Sequence, residues 1–168
     1  MRLLYDLQRI SAALALSVLL TACSSPAPHA FHPNAEHASW SGRLGLQIDD
    51  PSANAQSFSA SFQLQGNAQQ GRLDIFNPLG TQLARLEWMA GSAQLQQGDR
   101  ITQSESLQEL LQVSTGTALP VQALFGWLNG QAIVAEGWEA DLSRHQEGRI
   151  TAYRRSPLPQ AILRVILQ

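Results

Sequence analysis

The chain has no lysine, and all 11 of its basic residues are arginine. A P-loop needs a lysine for the phosphates and Schiff-base catalysis needs a lysine amine, so both are excluded. Cysteine occurs once, at Cys23, which leaves it no partner for a disulfide within the chain. Charge is scarce. Only 14% of residues carry it, the formal net charge is −2 and there is no basic cluster, so nucleic acid is not a partner. No Gly-x-Ser-x-Gly element occurs, which excludes the nucleophile elbow of that hydrolase class. Long apolar runs are missing as well. Ile10–Leu20 has the length of a signal-peptide hydrophobic region and is too short to span a bilayer as a helix.

What is present begins where that run ends. Arg2 and Arg9 precede it, and Leu20-Thr21-Ala22-Cys23 closes it. A leucine and two small residues directly before a cysteine resemble the lipobox of bacterial lipoproteins. That resemblance implies removal of residues 1–22 and lipidation of Cys23. Ser24, a non-aspartate after the cysteine, implies sorting to the outer membrane, with the protein facing the periplasm. Several acyl chains on one cysteine anchor firmly, at about 0.8 kcal/mol per buried methylene. Residues 23–36, with Pro26, Pro28 and Pro33, read as a tether. His29, His32 and His37 lie in or beside it, but nothing completes a metal site, and neither metal nor cofactor is expected.

Residues 37–168 read as one domain. From Trp40 the apolar period is two: Trp40, Gly42, Leu44, Leu46 and Ile48 share one side. Asp49-Asp50-Pro51-Ser52 makes a turn, and Phe58, Ala60, Phe62 and Leu64 repeat the pattern. Further strands are predicted over residues 71–76, with Leu73 and Ile75 on one side, and 83–88, with Ala84, Leu86 and Trp88 inward. Shorter ones follow over 93–96 and 100–102. Six short strands joined by turns imply an antiparallel meander. Two helices then interrupt it. The first starts at one of two capping-box patterns, Thr102–Glu105 or Ser106–Glu109, carries Leu107, Leu110, Leu111 and Ser114 on one face, and stops at Gly116. The second opens with Pro120 at its first position, has Leu124, Trp127 and Leu128 as its stripe, and ends at Gly130. Strands resume over 137–140, 149–154 and 161–167.

One turn breaks the rule that hairpin tips are polar. In Phe76-Asn77-Pro78-Leu79-Gly80 the proline and glycine suit the backbone of a turn, yet a leucine sits between them. Either Leu79 folds back on the sheet, or it is an apolar finger held out to a membrane or acyl chain. His145, between Arg144 and Glu147 in sequence reach, is the one histidine of the folded part and the only starting point for a hydrolase reading.

Taken in order, the lipobox, Trp40 with Gly42-Arg43, Asn77-Pro78-Leu79-Gly80, Leu110-Leu111, Gly116, Leu119-Pro120-Val121, Trp127-Leu128-Asn129-Gly130, Gly137-Trp138 and Leu158-Pro159 resemble the LolB family over nearly the whole chain. The resemblance implies a mainly β fold of the α+β class. This would be an antiparallel incomplete β-barrel with short helices forming a lid over an apolar cavity. It implies a monomer that takes acylated lipoprotein cargo from a LolA-like periplasmic carrier and delivers it to outer-membrane phospholipid, with Asn77, Pro78, Leu79 and Gly80 as the membrane-insertion loop. The side chains expected to line the acyl-chain cavity are Leu44, Leu46, Phe58, Phe62, Leu64, Leu73, Ile75, Leu86, Trp88, Leu107, Leu110, Leu111, Leu124, Trp127, Leu128 and Trp138. On pattern alone, the same residues fill a solid core at least as well. With no nucleotide motif, any hand-over has to run downhill. The rival reading is a structural or assembly lipoprotein of the outer membrane that binds a partner by a sheet edge and needs no hollow.

Overall fold

A computed structural model describes residues 38–52 and 54–168. Cys23, the tether and His29, His32 and His37 lie outside the described residues. The elements are β1 (Ser39–Asp49), β2 (Gln56–Gly66), β3 (Gly71–Phe76), β4 (Gln82–Met89), β5 (Ser92–Gln97), β6 (Arg100–Ser104), α1 (Leu107–Thr115), α2 (Val121–Leu128), β7 (Trp138–Asp141), β8 (Arg149–Arg154) and β9 (Gln160–Leu167). The strands form one nine-stranded sheet in the order β6-β5-β4-β3-β2-β1-β9-β8-β7, with every neighbour antiparallel. The predicted meander is present and extends further. Strand β9 returns to pair with β1, placing Gly42 opposite Leu167, and so joins the two ends of the domain in mid-sheet. The sheet stays open, because β6 and β7 are its edges.

Alternation decides the two faces. In β1 the buried and half-buried residues are the even-numbered Trp40 to Ile48, joined by half-buried Gly45. In β9 Ala161, Leu163 and Val165 are buried. The outer face of β3 and β4 carries two cross-strand ion pairs, Arg72–Glu87 and Asp74–Arg85, each at 2.6 Å. The sheet curls inward around α2. Phe125 meets Trp40 of β1 edge-on at 5.6 Å and Trp88 of β4 at 6.2 Å. Those strands are three steps apart in the sheet, about 14 Å if it were flat.

The helices sit where the pattern put them, with local differences. Of the two capping boxes the chain uses Ser106, whose hydroxyl accepts from the Glu109 N–H at 3.1 Å, and Gly116 ends α1 in the left-handed region at φ +72°. Leu110 is buried, whereas Ser114 faces solvent at the far end of the expected stripe. Pro120 is the N-cap of α2 and not its first helical residue, and its carbonyl accepts from Leu124 N–H at 2.8 Å. Helix α2 is buried almost all round, through Ala123, Phe125, Gly126, Trp127 and Leu128, because a second layer covers it. Residues 131–136 run back over it as a strap. Gln131 N–H donates to the Gly126 carbonyl at 2.9 Å, and Trp127 Nε1–H donates to the Ile133 carbonyl at 2.9 Å.

Glycine is required at position 42 by a close approach. A Cβ there would lie 2.0 Å from the Ile166 carbonyl oxygen on β9. The backbone of a paired strand cannot give way as a flexible side chain can. Gly42→Ala therefore lowers stability by about 1–3 kcal/mol. A urea midpoint equal to wild type would refute the close approach.

Candidate functional site

The first candidate is the tip between β3 and β4. Asn77 Oδ1 accepts from the N–H groups of Leu79 and Thr81, both at 2.9 Å, and the Asn77 carbonyl accepts from Gly80 N–H at 2.9 Å. Asn77 N–H donates in turn to the Thr81 carbonyl at 2.9 Å. One asparagine thus closes the turn from both its side chain and its backbone. Gly80 takes φ +84° with open space where a Cβ would stand, so conformation and not room demands glycine there. Leu79 is 91% exposed. It does not fold back on the sheet: a rigid polar turn holds it out into solvent.

The second candidate is the space under and beside the helices. Of the predicted cavity residues, Phe62, Leu64, Ile75, Leu86, Trp88, Leu110, Trp127, Leu128 and Trp138 are buried in one apolar cluster. Leu44, Leu46, Leu73, Leu107, Leu111 and Leu124 pack against it half-buried. Phe58 stands apart. It shares the inner face through its pairing with Leu46, yet it is 44% exposed and outside the cluster, because none of the described residues packs closely over that end of β2. Two residues that the helical stripe did not single out complete the cluster: Phe125 and Ala123.

Beside this cluster opens a groove of about 720 Å³, within the roughly 300–1,000 Å³ of ordinary small-molecule sites. Leu107 of α1, Leu119 and Pro120 of the link between the helices, Val121 of α2, Ile133 of the strap, and Trp138 line it. Leu107 and Trp138 are the predicted cavity residues that reach it, whereas Leu64 lines a smaller hollow of about 450 Å³ where β1, β2 and the end of β9 meet. Apart from Phe58, the other predicted lining side chains sit deeper, in contact with one another.

Three tryptophans fasten the parts that surround the groove. Trp88 Nε1–H donates to the Asn67 carbonyl at 2.9 Å, holding the turn between β2 and β3. Trp127 holds the strap, and Trp138 Nε1–H donates to the Ala118 carbonyl at 3.1 Å, holding the link between the helices. Beside Trp138, its cross-strand partner Arg154 donates through Nη1 to the hydroxyl of buried Thr117. Arg154 is 9% exposed and also lines the groove. Nothing local marks Arg154 or Thr117 in the sequence, since they meet across 37 residues of chain.

Among the described residues, the groups with displaced pKa values belong to exposed turns. The Ser52 hydroxyl and N–H hold the Asp50 carboxyl below its ordinary range, and Ser143 does the same for Asp141. A hydrogen bond from Arg144, then its charge, lowers Glu147 and raises Arg144 in return. His145 does not face those groups. Its Nε2 lies 3.1 Å from the Leu128 carbonyl, so that nitrogen carries the proton, and the ring packs at the end of α2 under Gly130. Arg144 pairs with Glu147 at 2.6 Å. The one starting point for a hydrolase reading is thus an ion pair beside a helix-end support.

No helix among the described residues is long and apolar enough to cross a membrane. A family model described as "Outer membrane lipoprotein LolB" matches residues 36–158, which contain the tip, both helices, the strap and Arg154. The chain belongs to the LolB family. Among curated LolB proteins, each named outer-membrane lipoprotein LolB, that of Bordetella petrii is 28% identical over 177 residues, covering 91% of this chain and 88% of that one. That of Halorhodospira halophila is 30% identical over 154 residues, covering 84% and 72%. That of Shewanella woodyi is 33% identical over 121 residues, covering 68% and 54%. An open antiparallel sheet with two short helices is thus the fold of a LolB chain, as its motifs implied.

Proposed function

We propose that the protein is anchored in the outer membrane by lipid on Cys23, accepts acylated lipoproteins from the periplasmic carrier LolA, and inserts them into the outer membrane. The observation that carries this reading is LolB family membership across residues 36–158. The fold supports it in two places: a groove beside the lid helices that suits an acyl chain, and a leucine presented at a rigid tip. Most of the predicted lining residues pack against one another under the helices. Tails therefore enter from the groove and displace the lid, held at its link by Trp138, to reach the interior.

The transfer needs no nucleotide. Acyl chains pass from carrier to receptor to bilayer, each host holding them more tightly than the last. The gap between hosts is set by contact, at about 0.8 kcal/mol for each further buried methylene. The protein acts by binding and release, so it is not an enzyme. The assembly-lipoprotein reading is not favoured, because a sheet edge has no use for the groove or the leucine tip.

The test is transfer of an acylated lipoprotein from purified LolA to liposomes, with and without this protein. Cargo should reach the vesicles only when it is present. Equal transfer in its absence would overturn the proposal.

A further inference from the structure

The groove has an apolar length and, among its charged residues, one that the packing of the domain leaves partly unused. Leu107, Leu119, Val121, Ile133 and Trp138 supply the apolar length. Arg154 supplies the charge. It is 9% exposed and, among the described residues, has a single protein partner, the Thr117 hydroxyl on Nη1. No carboxylate pairs with it there. Glu136 lines the same groove without forming an ion pair to it. Among the described residues no fully buried side-chain nitrogen or oxygen lacks a hydrogen-bond partner. Nε and Nη2 of Arg154 have no partner among the described residues, so they are not fully buried, and the open space that Arg154 lines is the groove. A nearly buried guanidinium is ordinarily matched by an acid, because its charge is expensive to remove from water. Here the place of the acid is open to a ligand.

We propose that Arg154 is the head anchor of the groove, gripping the carboxyl or ester oxygens of an acyl chain whose tail lies along Leu107, Leu119 and Trp138. The guanidinium fork suits paired oxygens, and charge-assisted bonds are about twice as strong as neutral ones. The inference rests on the acyl-holding reading above and adds to it the part of the ligand that is recognised. Both an acylated cysteine and a diacyl phospholipid offer such oxygens.

The test uses the lipid-free domain and three fluorescent probes of equal chain length: a fatty acid, its methyl ester and a headless hydrocarbon. Arg154→Met should weaken the fatty acid by about tenfold or more and the ester by less, and leave the hydrocarbon unchanged. The double variant Arg154→Met, Thr117→Val removes both polar partners together and guards against misfolding from an orphaned hydroxyl. It should give the same three-probe pattern with a wild-type urea midpoint. Equal loss for all three probes would make Arg154 a structural strut and overturn the inference, as would no loss for any. If wild type binds none of the probes, the acyl-holding reading fails with it. If wild type binds and only the head dependence is missing, this inference alone fails. Displacement of the fatty acid from wild type by a diacylglyceryl-cysteine peptide or by a short-chain phospholipid supports the anchor and names the source of its ligand.

Discussion

Replacing Leu79 with glutamate leaves uptake of acylated cargo from the carrier intact and slows delivery to liposomes by about 10- to 100-fold. The magnitude follows from the side chain. Burying a leucine in an apolar phase is worth about 1.5–3 kcal/mol, and each 1.4 kcal/mol in a barrier is a factor of ten in rate. An acidic side chain forfeits that gain and resists entry into lipid. Stability should hold, because Leu79 is 91% exposed and the turn is closed by Asn77 and not by the leucine. Leu79→Phe keeps an apolar tip and should deliver normally. The measurement is two-stage, cargo bound to the receptor and then cargo in the vesicle. Unaltered delivery by the glutamate variant would sink the role of the tip, and equal loss of both stages would place the defect elsewhere.

Trp127→Ala costs about 3–5 kcal/mol, a large part of the roughly 5–15 kcal/mol that holds an ordinary domain together. Trp127 is fully buried, sits 6.5 Å from the Trp138 ring and carries the bond to the Ile133 carbonyl. Its removal opens a void between the sheet and α2 and releases the strap at once. Trp127→Phe separates the two effects: it retains most of the apolar volume and should cost mainly the hydrogen bond, about 1 kcal/mol. Denaturant midpoints of the two variants read the difference. An alanine variant as stable as wild type would mean that α2 does not pack as described.

The strands were readable because their cause is local. A period of two from Trp40 to Ile48 or from Ala161 to Leu167 leaves one inner face, and a one-residue slip would bury the polar set instead. The tip was readable for a related reason. Asparagine, proline and glycine close a turn by bonds within five residues, so an intervening leucine is conspicuous before any tertiary contact is known. The second helix was read less well. Its stripe of Leu124, Trp127 and Leu128 omitted Phe125 and Ala123. The signal was an apolar excess all round the helix, which calls for cover on two sides.

By itself, then, the sequence determined the alternating faces, the antiparallel meander, the helix stops, the leucine tip and, through its ordered motifs, membership of the LolB family. Tertiary structure alone decided that most predicted cavity residues pack against one another, that Phe58 lies uncovered, that a strap closes over α2, and that Arg154 looks into the groove. The physical reason is range. Hydrophobic period and turn chemistry act over a few residues, whereas burial and the matching of a charge depend on which distant segments the sheet brings together, as it does Thr117 and Arg154.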